Sequence, residues 1–313
     1  MNFLQFYLWW DCNNNCQFCF AKLLKQHKTT VQEKICSIDF AINKLNTMDL
    51  KKVDTIGLIG GEFFEDQISD SAVNQKFIEL IEKCIELIKN NTIKNLYLMT
   101  HLIYKNTQYL DDIIKKFEEH NVLKNLLICT SFDPWGRFHT EERKKLWYNN
   151  VNRLRANNIN VHVEMILCQQ LIDAVLNKTL DLSYFTDNDI FFDFLNPQGF
   201  FKSDGTHSDT KQETITSFNG KWLPTRSSFL EFLTFLNEFK PNQLDRLFKL
   251  DIRAQHLFFA NAQTSFTRDV ETYNENPEYD TVKPCGHSEK FSFYSDCDQC
   301  MICDIENFKE MFK

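Results

Sequence analysis

The stretch "NQKFIELIEKCIELIKNNTIKNLYLMT", residues 74–100, joins two kinds of periodicity within 27 positions. In its first part Phe77, Leu80, Ile81, Cys84, Ile85 and Ile88 recur at three- and four-residue spacing, which predicts one apolar face of a helix. In its last part "NLYLMT" (95–100) is a short apolar run bounded by polar residues, the mark of a buried strand. The same pairing recurs along the first 200 residues. Strands are expected at 3–10, 55–60, 95–100, 125–132, 160–167 and 189–195, and helices at about 37–49, 73–90, 107–120, 140–157 and 171–180. Ser37 and Thr107 are the expected N-caps of their helices. Regular strand–helix repetition implies an α/β fold with a parallel sheet and right-handed crossovers. Six such units fit a doubly wound sheet or a partial barrel, and in both the chemistry belongs at the C-terminal ends of the strands.

Composition narrows the function classes. Lys and Arg number 35 against 43 Asp and Glu, a net charge of −8, and no basic stripe stands out, which argues against a nucleic-acid partner. The segment Met1–Trp10 lacks a basic start and is too short for a signal core or a membrane span, so the expectation is a soluble, cytoplasmic protein without membrane association. Thirty Phe residues supply core material. The pattern breaks after Gly199: 201–225 reads as a polar loop, at least one helix is expected within 226–262, and 263–313 reads as irregular. The expected division is therefore 1–205 for the strand–helix domain and 206–313 for a C-terminal extension.

Eleven cysteines is an odd number, and seven of them fall in two tight clusters, which suits metal binding better than disulfides. The other four, Cys36, Cys84, Cys129 and Cys168, stand in apolar surroundings and are expected to be buried, inert thiols. The first cluster, in "WWDCNNNCQFCF" (9–20), places Cys12, Cys16 and Cys19 on the loop after the first strand. Three thiolates can hold three irons of a 4Fe–4S cubane and leave the fourth with open coordination positions. The alternative is a zinc knuckle completed by a distant ligand such as His27 or a tail cysteine.

That spacing, with Phe18 just before the last cysteine, resembles the signature of the radical S-adenosylmethionine (SAM) superfamily. Two further stretches carry the resemblance. "GLIGGEFF" supplies Gly60, Gly61 and Glu62 at the end of the second strand, where two glycines permit close backbone approach and a carboxylate can accept from an ammonium. "SFDPWGRFHTEER" places Ser131, Asp133, His139 and Arg143 as S-x-D-x5-H-x3-R, similar to a segment of radical SAM enzymes that mature peptides and sulfatases. Those enzymes commonly have Gly where this chain has Pro134. The same segment also reads as a turn at Asp133–Pro134 and Gly136, with Thr140 capping a helix that begins at Glu141 and Glu142.

The resemblance covers about residues 3–200 and implies a partial (β/α)6 TIM-like barrel with a small irregular C-terminal metal-cluster extension. It implies a 4Fe–4S cluster on Cys12, Cys16 and Cys19, with SAM bound by Phe18, Gly60, Gly61, Glu62, Ser131, Asp133 and Arg143. Ser131 would meet the ribose, and Arg143 or Arg137 the SAM carboxylate. The implied chemistry is reductive cleavage of SAM to a 5′-deoxyadenosyl radical that abstracts a substrate hydrogen, fed by an external donor of flavodoxin or ferredoxin type. Catalytic candidates are Glu164, His101 and His139. Glu164 lies within an apolar run, where an unpaired carboxylate is costly, and is expected to face the barrel interior, towards substrate or a partner Arg. Gln169, Gln170, Asn196 and Gln198 are weaker strand-end positions.

The tail adds Cys285, Cys297, Cys300 and Cys303, four thiols with two CxxC steps, which suit a closed site of a second 4Fe–4S cluster or zinc; His287 could replace one thiolate. Many peptide-modifying radical SAM enzymes carry such auxiliary clusters in SPASM or twitch extensions, and this tail is similar though shorter and differently spaced. Phe291, Phe293 and Tyr294 would shield it. The expected substrate is a peptide or protein side chain. A small molecule such as a nucleotide or cofactor precursor is the alternative, and a non-catalytic Fe–S or zinc protein the rival from another class.

Overall fold

Strand order separates a doubly wound sheet from a barrel, and the computed structural model settles it. The structure describes residues 3–14, 16, 29–51, 53–64, 70–185, 190–194, 224–248, 255–259 and 311. All six expected strands form: β1 Phe3–Tyr7, β2 Thr55–Ile59, β3 Asn95–Met99, β4 Leu126–Ser131, β5 Asn160–Leu167 and β6 Ile190–Phe194. They pair in parallel in the order in which they occur in the chain. Successive right-handed crossovers that always step the same way put every connecting helix on one face. That is the winding of a partial barrel, not of a doubly wound sheet.

The helices are α1 Val31–Thr47, α2 Ser71–Lys89, α3 Gln108–Glu119, α4 Glu141–Ala156 and α5 Gln169–Leu176, followed by α6 Arg226–Phe239 and α7 Pro241–Phe248. Two expected caps are corrected. Helix α1 starts at a Thr30–Glu33 capping box rather than at Ser37, which is buried inside the helix. Thr107 occupies the cap position of α3 without capping it: its hydroxyl donates to Asp111 (2.8 Å), and the Asn106 side chain accepts from the Gln108 N–H instead. Thr140 caps α4 as expected.

A seventh strand, β7 Gln255–Phe259, pairs in parallel with the free side of β1, from Phe3↔Gln255 to Tyr7↔Phe259. It lies where the sequence suggests only helix, and it gives β1 hydrogen-bonded neighbours on both sides. Residues 195–223, with the expected domain boundary and with Asn196 and Gln198, lie outside the described residues, as do all four tail cysteines and His287.

Pleating divides the sheet chemically. The helix-side face carries Leu4, Phe6, Ile56, Leu58, Leu96, Leu98, Ile128, Val163, Met165 and Ile190, all with 0 % exposure, in one cluster with Phe77, Leu80, Ile81 and Cys84 of α2. Trp147 of α4 donates its indole N–H to Thr130 from that side (3.0 Å). On the opposite, inner face the register aligns Gln5, Gly57, Tyr97 and Leu127, then Cys129 with His162 and Ser131 with Glu164. Here Tyr97, His162 and Glu164 are only partly buried. This is the polar face of the sheet, and it carries buried Cys129 and Ser131 beside the partly buried residues.

Replacing Thr30 by Ala removes the side-chain half of the α1 capping box and is expected to cost about 1 kcal/mol. Urea unfolding monitored by far-UV circular dichroism measures it as a lower midpoint at unchanged slope.

Candidate functional site

The C-terminal ends of β1 and β2 stay zipped beyond the strands themselves. Leu8 N–H donates to Ile59 O (3.0 Å), Gly61 N–H to Trp9 O (2.7 Å) and Glu62 N–H to Asp11 O (2.7 Å). A β-carbon on Gly60 would stand 2.6 Å from Trp9 O, and one on Gly61 would stand 1.8 Å from Asp11 O. No side chain fits either place, so both glycines are required by close approach of two backbones. What approaches them is the segment that leads directly into Cys12. Trp9 adds an indole N–H donated to Glu62 O (3.0 Å) and an edge-on contact with Phe63, centroids 4.9 Å apart.

Asp11 anchors the same loop from the other side. Its Oδ1 accepts from the Thr29 N–H (3.1 Å) and its Oδ2 lies 3.0 Å from Lys34 Nζ, with both side chains at most 6 % exposed. Lys34 projects from the end of the first turn of α1 and its ammonium lies over the Trp9 ring, 5.4 Å from the centroid. A buried ion pair is a poor source of net stability but a strong constraint on position, because removing one partner strands the other charge. The segment between Asp11 and Thr29, which contains all three loop cysteines, is therefore held at both ends by one carboxylate. Sequence reasoning missed this pair; Thr30-x-x-Glu33, immediately before Lys34, was the available signal that α1 begins here.

Within the loop, Cys12 is half-buried and Cys16 buried. The Asn14 N–H points at Cys12 Sγ (3.3 Å), the kind of N–H···S contact that steadies a thiolate and tunes a bound cluster. Asn14 Oδ1 accepts from the Arg143 guanidinium (2.9 Å), tying the loop to the first turn of α4. Cys19, Phe18 and His27 lie outside the described residues, and among the described ones no three His, Cys, Asp or Glu side chains gather as a metal site. Among the described residues the loop therefore offers two thiols, Cys12 and Cys16, the first with an amide directed at its sulfur.

Glu62 is fully buried and its carboxylate is used within the protein. Oε1 accepts from the Phe63 and Phe64 N–H groups (2.9 and 3.0 Å) and the Thr100 hydroxyl (2.7 Å), and Oε2 from the His101 N–H (2.7 Å). It thus clamps the end of β2 to the end of β3. His101 Nδ1 lies 3.3 Å from Glu62 Oε2 and 2.8 Å from the Ile103 backbone nitrogen, which places the ring in the loop after β3. Asn150 of α4 secures that loop by donating to Leu102 O and Tyr104 O, 2.9 Å each.

The segment after β4 distributes its four expected residues. Ser131 ends the strand nearly buried, and among the described residues its hydroxyl has no partner. Asp133 turns inward, with Oδ2 on Arg137 Nε (3.1 Å) and Oδ1 accepting from the Ile166 N–H (3.3 Å); burial raises its pKa. Arg137 N–H closes a turn onto Asp133 O (2.9 Å). His139 is exposed at the surface, while Arg143 reaches back to Asn14. Gln169 Oε1 accepts from the Thr225 N–H and the Ser228 hydroxyl and thereby holds the start of α6.

Glu164 faces inward on β5, as expected. Its partner is Tyr97, whose hydroxyl donates to Oε1 at 2.6 Å, and Arg137 is the guanidinium that pairs with Asp133. Burial raises the Glu164 pKa, against the opposing effect of the Tyr97 hydrogen bond. Of the four solitary cysteines, Cys84 and Cys168 are buried with thiols pushed up to about 12 by burial, and Cys129 is likewise buried and raised. Cys36 corrects the expectation: it lies on the exposed side of α1.

No family model and no curated protein matches the sequence. Among solved structures, native anSMEcpe with bound AdoMet and the Cp18Cys peptide superposes with a TM-score of 0.56 at 12 % identity, covering 99 % of this chain and 96 % of that one. AnSMEcpe is an anaerobic sulfatase-maturating radical SAM enzyme. Native anSMEcpe with bound AdoMet gives 0.45 at 13 % identity, covering 82 % of this chain, which spans 63 % of that one. At such identity the likeness is one of fold.

Lys34→Met alone is expected to cost about 3–5 kcal/mol by leaving Asp11 charged and buried, and the double variant with Asp11→Asn to recover more than half of that. Chemical denaturation of both singles and the double measures the coupling.

Proposed function

We propose that the protein is a radical SAM enzyme in which Cys12, Cys16 and Cys19 hold a 4Fe–4S cluster with one iron left open for SAM. The observation that carries this reading is the backbone clamp of Gly60–Glu62 on Trp9–Asp11. It fixes the cysteine loop at the C-terminal mouth of a partial barrel, where strand-end chemistry belongs. A cluster held there by the loop cysteines would supply the electron for reductive cleavage of SAM and hydrogen abstraction from substrate.

The chain's own residues have definable work in this reading. The Asp11–Lys34 pair and the Asn14–Arg143 contact anchor the start of the loop. Gly60, Gly61 and Glu62 present the backbone edge beside it, with Glu62 and Thr100 setting its shape. Ser131 offers an uncommitted hydroxyl at the end of β4, suited to a ribose, and Phe18 an aromatic beside the last cysteine. Asp133 acts by shaping the turn between β4 and α4 and tying it to Ile166 of β5.

A peptide or protein side chain is the favoured substrate, supported by the peptide held in the solved structure whose fold matches over almost the full length of both chains. Radical modification of a nucleotide or cofactor precursor is the second reading. For 206–313 we propose an extension in which Cys285, Cys297, Cys300 and Cys303 form a closed SPASM/twitch-like site for a second 4Fe–4S cluster, with zinc as the alternative. A flavodoxin- or ferredoxin-type donor and a reducing, cytoplasmic setting complete the proposal. Among the described residues no helix is long and apolar enough to cross a membrane.

Anaerobic reconstitution with iron and sulfide, followed by dithionite and SAM, tests the reading. The expected product is 5′-deoxyadenosine, lost on Cys12→Ala. The Cys12→Ala, Cys16→Ala, Cys19→Ala variant is expected to retain about four irons per chain in the tail. Absence of 5′-deoxyadenosine from protein with intact cluster absorbance overturns the enzymatic proposal, and zinc in the triple variant overturns the second cluster.

A further inference from the structure

Glu164 sits on the inner face in company that a structural carboxylate does not need. Tyr97 reaches it from β3, two strands away, and its hydroxyl takes up Oε1 at 2.6 Å. The Cys129 thiol lies buried on the intervening strand. In register beside Glu164 are Ser131 on one side and Phe191 on the other. His162, the preceding inner-face residue of β5, stacks on Phe191 with centroids 6.3 Å apart and rings 9° from parallel.

A phenol is a neutral donor, and burial, with Cys129 and Glu164 nearby, holds the Tyr97 hydroxyl well above its usual range. Tyr97 therefore orients the carboxyl group as a neutral donor, while burial raises the Glu164 pKa. Arg137 acts on Glu164 only through its field, being held 3.1 Å from Asp133. An ionised carboxylate has about four acceptor sites, so Glu164 keeps capacity for further donors. A half-buried carboxylate with a phenol bonded to it and a phenylalanine in register beside it suits an organic cation, by charge-assisted hydrogen bonds and by cation–π attraction.

We propose that Glu164, oriented by Tyr97 and flanked by Phe191, is the residue with which the inner face binds a cationic, hydrogen-bond-donating group of the substrate, a guanidinium or an alkylammonium. This deepens the reading above, since it takes the inner face as the substrate side of the barrel. It gives the protein a preference for a basic side chain or amine, in keeping with a net charge of −8.

The test uses the full-length protein labelled with δ-13C glutamate and requires neither SAM nor reductant, so its outcome is separate from that of the 5′-deoxyadenosine assay. Ethylguanidinium and n-butylammonium chlorides are titrated at constant ionic strength, with sodium butyrate as the anionic control. One carboxyl resonance, assigned by its disappearance in Glu164→Gln, is expected to shift saturably with either cation and not with butyrate. Tyr97→Phe is expected to weaken that binding about 5-fold, the worth of one neutral hydrogen bond, with circular dichroism unchanged. No saturable shift of the Glu164 resonance, or an equal shift with butyrate, overturns the proposal.

Discussion

The structure depends on a distance too short for a side chain. Where β1 and β2 end, the backbone at Gly60–Gly61 passes so near that of Trp9–Asp11 that a methyl group on Gly61 would stand 1.8 Å from a carbonyl oxygen. Everything that approaches the cysteine loop is arranged around this contact. Two short inter-strand hydrogen bonds hold it, Glu62 braces it from below, and the Asp11–Lys34 pair fastens the far side to α1. The glycines thus serve to bring two chain segments together.

The second constraint is the division of the sheet into two unlike faces. Hydrophobic burial against α1–α5 selects the helix side, at roughly 25 cal/mol per Å² of apolar surface. Nothing comparable acts on the inner face, so polar side chains persist there: Tyr97, Cys129, Ser131, His162 and Glu164. Burial leaves its mark on three of them, raising the pKa values of Glu164, Tyr97 and Cys129. Perturbed groups on a partly open face at the mouth of a barrel are what a binding site requires.

How much of this was legible in the sequence varies element by element, for physical reasons. The six strands and five helices were legible because apolar periodicity is a local signal and burial on the helix side enforces it. Strand β7 was not: a five-residue run in a segment dominated by helical pattern becomes a strand only because β1 has an unpaired edge to offer. The start of α1 was misplaced because an internal Ser37 competes with Thr30, and only the reciprocal Glu33 contact distinguishes them. At the site, the cysteines, glycines and Glu164 could be named from spacing and context. Their partners could not, since Lys34, Arg143, Thr100 and Tyr97 act across sequence separations of 23 to 129 residues, which only the fold brings together.

The central claim is that the loop pinned by Gly60–Glu62 carries a cluster with one iron unlike the other three. Mössbauer spectroscopy of protein reconstituted with 57Fe, in a variant lacking Cys297 and Cys300, examines that loop alone. Adding SAM is expected to change the isomer shift and quadrupole splitting of about one iron in four, the one without a cysteine. A spectrum that SAM leaves unchanged, with all four irons equivalent, would contradict the account.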